Sequence, residues 1–132
     1  MSRYRLIRVC GSVLVALVPA VLMAPTAAAE PIGGTVTYEV LSDAALVANV
    51  QYQDRGGRIV VGDVALPWRI EATVDDVFGP PPRGSQIRAD WRAQARPGLW
   101  VTVRIIHQGK LICQSTMDVG NSTCYGVTPR MT

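Results

Sequence analysis

The chain has 132 residues, 48% of them hydrophobic and only 6% aromatic, with 13 Lys and Arg against 10 Asp and Glu and a formal net charge of +3. Three of those cations, Arg3, Arg5 and Arg8, sit at the extreme N-terminus, so residues 30–132 balance ten cations against ten carboxylates, and the basic pI gives no support to a nucleic-acid partner. That remainder, about 100 residues, accommodates one small domain and leaves no room for a second.

The three arginines are followed from Val9 to Ala24 by a stretch without a charge, the layout of an export signal. The stretch ends in Ala24-Pro25-Thr26-Ala27-Ala28-Ala29 ahead of Glu30-Pro31, which puts small residues where a signal peptidase reads and predicts cleavage between Ala29 and Glu30. The apolar run is short of the about 20 residues that a membrane span needs, and Pro19 and Pro25 interrupt it. Retention of residues 1–29 as a membrane anchor is the alternative. Cys10 precedes the apolar core instead of closing it, so it is no lipid-attachment site and leaves with the signal. Cys113 and Cys124 remain, and an even count in an oxidising compartment is read as a disulfide, against the alternative of two reduced, buried thiols. Closing that loop would stabilise the fold by about 3 kcal/mol.

The rest of the chain reads as short alternating runs separated by Gly, Pro and Asp with no sustained helical period, which predicts an all-β domain over residues 30–132. Thr35 to Leu41 places Val36, Tyr38 and Val40 on one face, and Val47 to Gln53 offers Val50 and Tyr52. Gly56-Gly57 marks a turn. Leu66 to Asp75 alternates Trp68, Ile70, Ala72 and Val74 with Arg69, Glu71, Thr73 and Asp75, one face for the core and one for water. Pro80-Pro81-Pro82 cannot donate to a ladder, so residues 78–84 are expected to be a stiff loop.

Beyond it, Ile87, Ala89, Trp91 and Ala93 alternate with Arg88, Asp90, Arg92 and Gln94, and then Leu99, Val101, Val103 and Ile105 with Trp100, Thr102, Arg104 and Ile106. A three-residue loop Arg96-Pro97-Gly98 would join the two as a hairpin, with Trp91 opposite Val103 and Asp90 opposite Arg104. Tyr38, Trp68 and Trp91 are then core residues. A two-residue turn at Gln108-Gly109 pairs Ile105 with Ile112 and sends Cys113 to the outer face. The turn Asp118 to Asn121 would bring a last strand, Thr123 to Thr128, alongside, with a bulge or asymmetric loop needed to bring the cysteines together. Seven or so strands at this spacing read as an immunoglobulin-like β-sandwich.

Catalytic residue types are sparse. His107 is the single histidine, at a strand end beside a turn, and reads as a partly exposed hairpin residue rather than a general base. Asp75 and Asp76 are neighbours that would point to opposite faces in a strand. No serine lies in a nucleophile elbow, no Gly-rich loop opens a helix, and no residue set calls for a metal or another cofactor. Binding is the better prospect. In the expected register Trp100 and Ile106 share an outer face with Arg88, Arg92 and Arg104, a mixed aromatic and guanidinium surface suited to a partner. The other reading has Trp100 merely capping the sandwich edge. Pro80, Pro81 and Pro82 form a second candidate contact.

Thr37-Tyr38-Glu39-Val40, Tyr52-Gln53-Asp54, Leu66-Pro67-Trp68, Thr73, Arg104-Ile105 with Gly109, and Thr123-Cys124 stand in an order and spacing that resembles the mycobacterial membrane protein S (MmpS) family over residues 35–126. The resemblance implies an immunoglobulin-like sandwich outside the cytoplasmic membrane. It also implies a role as small accessory partner of MmpL transporters, proton-driven pumps that export lipids and siderophores. The chain departs from the pattern in its cleavable leader, in Val103 where the family's earlier cysteine is expected, and in a longer proline loop. With Cys113 as the remaining partner for Cys124, the bridge is expected to be a local hairpin staple. The alternative to a transporter accessory is an independent secreted module that binds a lipid, a glycan or a host protein.

Overall fold

The computed structural model describes residues 11–21, 33–45 and 47–128. Residues 11–21 are exposed throughout and belong to neither sheet, and among the described residues no helix is long and apolar enough to cross a membrane. The expected cleavage site, Ala29 and Glu30, lies outside the described residues.

The domain is an all-β sandwich, with eight strands among the described residues: β1 (Gly34–Leu41), β2 (Val47–Asp54), β3 (Gly57–Ala65), β4 (Trp68–Val74), β5 (Gln86–Asp90), β6 (Val101–His107), β7 (Lys110–Met117) and β8 (Asn121–Tyr125). They form two antiparallel sheets, in the orders β4-β1-β6-β7 and β3-β2-β5-β8. Alternation decides which side of each strand is buried: Val36, Tyr38 and Val40 of β1 and Val101, Val103 and Ile105 of β6 point inward, against Val50, Ile87 and Ala89 of the second sheet. Tyr38 spans the two layers, donating its hydroxyl hydrogen to the Gln53 carbonyl at 2.7 Å while accepting from the Gln86 amide at 3.2 Å. Burial pushes its phenol up to about 12. Trp91 is 2% exposed and belongs to the core, whereas Trp68 is only partly buried, packed at its margin against Tyr52 with ring centroids 5.6 Å apart.

The expected hairpin around Arg96-Pro97-Gly98 does not form. β5 stops at Asp90, a 3₁₀ turn follows at Arg92–Gln94, and the chain crosses to the other sheet before β6. Trp91 is the pivot: its amide donates to the Gly120 carbonyl at 2.8 Å instead of to a neighbouring strand. Asp90 therefore lies opposite Asn49 and Asn121, not Arg104, and its carboxylate holds Arg92 at 2.6 Å. The hydrogen bond from Arg92 lowers the pKa of Asp90.

The Gln108-Gly109 turn closes β6 and β7 as expected, with both residues at positive φ (51° and 73°), the backbone that two-residue hairpin turns require. A bulge then shifts the register: Ile106 faces Leu111 but Ile105 faces Cys113, not Ile112. That one-residue slip turns Cys113 from the outer to the inner side. β3 is an additional strand, an edge rich in Ile and Val; the turn before it is Arg55-Gly56, one residue earlier than the expected Gly56-Gly57, because Gly57 already pairs with Asp54.

Candidate binding surface

The outer face of the β4-β1-β6-β7 sheet carries a row of four polar side chains, one from each strand. Glu39 lies between Arg69 and Arg104 in the ladder, and Arg104 lies opposite Gln114. Arg69 donates to Glu39 at 3.0 Å, the Arg104 guanidinium lies 3.8 Å from the other carboxylate oxygen, and Arg104 donates to Gln114 at 2.8 Å. This row explains why Arg104 is held in place: it has an internal partner on either side.

Toward the end of the sandwich where β1 begins, the same face opens into a groove of about 610 Å³. Thr35 and Thr37 of β1, Glu71 of β4 and Ile106 of β6 line its floor, and the segment after β4 supplies Asp76, Val77 and Phe78. Phe78 is 56% exposed and meets the His107 ring edge-on with centroids 5.7 Å apart. His107 Nδ1 lies 2.9 Å from the Thr35 carbonyl oxygen; a carbonyl can only accept, so Nδ1 carries the proton. Among the described residues neither Glu71 nor Asp76 is in an ion pair, while Asp75 is paired with Arg55 at 3.3 Å. The groove thus offers an apolar wall, two hydroxyls and two unpaired carboxylates. Among the described residues no cluster of three or more His, Cys, Asp or Glu could hold a metal ion.

The partner surface expected from the sequence is divided. Arg104 and Ile106 do lie outward on β6, but Trp100 precedes that strand, six residues, about 20 Å, from Ile106. Arg88 and Arg92 belong to the other sheet and the turn after it, because β5 pairs with β2 and β8 and not with β6. Trp100 is 53% exposed, its carbonyl accepting from the Ser42 hydroxyl at 2.7 Å, so it projects from the end opposite the groove. Pro80, Pro81 and Pro82 line a separate hollow with Asp76 and Arg83. Their loop is tied across by Asp76 N–H to the Arg83 carbonyl at 3.2 Å, and packs so tightly that a Cβ on Gly84 would collide with the Gly79 carbonyl.

Of the groove residues, only Ile106 belonged to the expected surface. The signal for the others lay in the outward positions of β1 and β4, Thr35, Thr37 and Glu71, and in Phe78, the single phenylalanine. No sequence period shows that the loop after β4 folds over that face.

No protein-family model matches the chain, and no curated protein matches it.

Proposed function

We propose that the chain is an exported, non-enzymatic accessory domain that binds an MmpL-type membrane transporter or the lipid or siderophore which that transporter carries. The observation that carries this reading is the position of the groove. Gly33 and Gly34 line it, so it lies where the chain arrives from the uncharged run of residues 9–24. A domain delivered to, or held at, a membrane through that end would present the groove to the bilayer and to proteins within it. The mixed lining suits an amphiphilic ligand or a protein segment with apolar and polar faces. The bridge between Cys113 and Cys124 agrees with an oxidising compartment, and the resemblance to MmpS supplies the class of partner.

The non-enzymatic reading rests on His107, whose Nδ1 is engaged by a backbone carbonyl and whose nearest aromatic partner is Phe78 rather than a nucleophile. The second reading, an independent secreted lipid-, glycan- or host-protein-binding module, is favoured by Trp100, an exposed aromatic at the end away from the groove. An export assay separates the two. Deleting the gene from its native host should lower the lipid or siderophore recovered outside the cell, and re-expression should restore it. Unchanged export would support the independent module.

A further inference from the structure

β3 is an edge strand of nine residues whose outward side is open among the described residues. Its register defines which backbone groups are open. The two-residue turn at Arg55-Gly56 makes Asp54 and Gly57 the closing pair, so Gly57, Ile59 and Val61 exchange hydrogen bonds with β2. The N–H and C=O of Arg58 and Val60 consequently point away from β2, to the free edge. Val60 is 65% exposed. Two residues beyond Val60 the strand bulges at Gly62 and Asp63 opposite Asn49, and Asp63 takes φ 49° with its amide bonded to the Asn49 side chain at 2.9 Å.

We infer that this edge pairs with the β3 edge of a second copy of the same chain. A two-fold axis perpendicular to the sheet requires opposed residues of equal parity, and the open groups fall on even numbers: Val60 meets Val60 of the second copy on the axis, and Arg58 meets Gly62. In that register every open group of Arg58 and Val60 finds a partner, and the Ile59 and Val61 side chains extend one continuous inner face. Charge selects the same arrangement. Gly62 has no side chain, so the Arg58 guanidinium opposite it reaches the exposed Asp63 beside it, twice by symmetry. An edge this apolar is ordinarily blunted by a charge or a proline near its middle, and β3 has Ile59-Val60-Val61 there.

The test is sedimentation equilibrium of the purified native protein across a wide concentration range. Wild type should reach twice the monomer mass. Val60→Pro removes only a donor that β2 does not use, so it should give the monomer mass with an unchanged far-UV circular dichroism spectrum. Arg58→Asp should also be monomeric, and the exchange Arg58→Asp/Asp63→Arg should recover the dimer, which keeps the proposal open to test if the proline variant fails to fold. A wild-type protein that stays monomeric to its solubility limit would overturn the proposal. So would a dimer indifferent to Val60→Pro, which would point to another surface or another partner.

Discussion

Cys113 and Cys124 lie on different sheets, with Cα atoms 5.8 Å apart and their sulfurs bonded across the interior margin of the sandwich. Ser115 and Ser122 form the next rung, the Ser122 hydroxyl contacting the Ser115 hydroxyl at 2.8 Å and its carbonyl at 3.1 Å. β7 and β8 therefore face one another as edges of opposed sheets, not as neighbours in one ladder, and the bridge is an inter-sheet clasp rather than the local hairpin staple expected from the sequence. Thiol titration of the unfolded, unreduced protein should find both cysteines blocked. The Cys113→Ser/Cys124→Ser variant should lose about 3 kcal/mol of stability, measured by urea denaturation. Two free thiols would remove the clasp from the account.

The two tryptophans expected in the core, Trp91 inside it and Trp68 at its margin, should separate in the same assay. Trp91→Ala empties a buried site at the sheet-to-sheet crossover and should cost about 3–5 kcal/mol, a large part of the stability of a domain this small. Trp68, packed at the margin of the core, should cost about half as much. Equal losses would show that the margin is as closely packed as the centre.

Alkaline pH should find Tyr38. Its folded pKa, raised to about 12 by burial, exceeds the ordinary value of 10.0, so the neutral phenol is favoured by folding. That contribution is complete below pH 10.0 and is lost as pH rises through about 12, up to about 3 kcal/mol in all. Stability should fall across that window and fall less in Tyr38→Phe, which has no proton to lose but also forgoes the bond to Gln53. A parallel decline in both proteins would assign the alkaline transition to other groups.

What the sequence made legible followed from side-chain period. β1, β4 and β6 were readable because Val36-Tyr38-Val40, Ala72-Val74 and Val101-Val103-Ile105 alternate without a break, and the turn at Gln108-Gly109 was readable because Gly109 suits positive φ. Sheet membership was not. Arg96-Pro97-Gly98 has the composition of a hairpin loop, yet the fold uses residues 91–100 to pass from one sheet to the other, an outcome set by Trp91 seeking the core and by its amide finding Gly120. That one difference separated Arg88 and Arg92 from Trp100. The bulge before Cys113 was equally hidden, since a ladder of Leu, Ile and Cys reads the same in either register. Of the binding surface, Arg104 and Ile106 were visible as outward residues, but the groove that Ile106 lines depends on the loop bearing Phe78.

Processing is open to direct measurement. The protein isolated from its host should begin at Glu30 and appear in the soluble envelope or culture fraction, by intact mass. A mass that includes residues 1–29, with the protein in membranes, would make it an anchored domain.

Co-purification from the native envelope in mild detergent tests the proposed role most directly. The tagged wild-type protein should bring down a large transporter-type membrane protein in stoichiometric amount, and the groove variant Phe78→Ala/Ile106→Ala should recover much less of it, while Trp100→Ala behaves as wild type. Recovery of no membrane protein in stoichiometric amount with the wild type would contradict the accessory role.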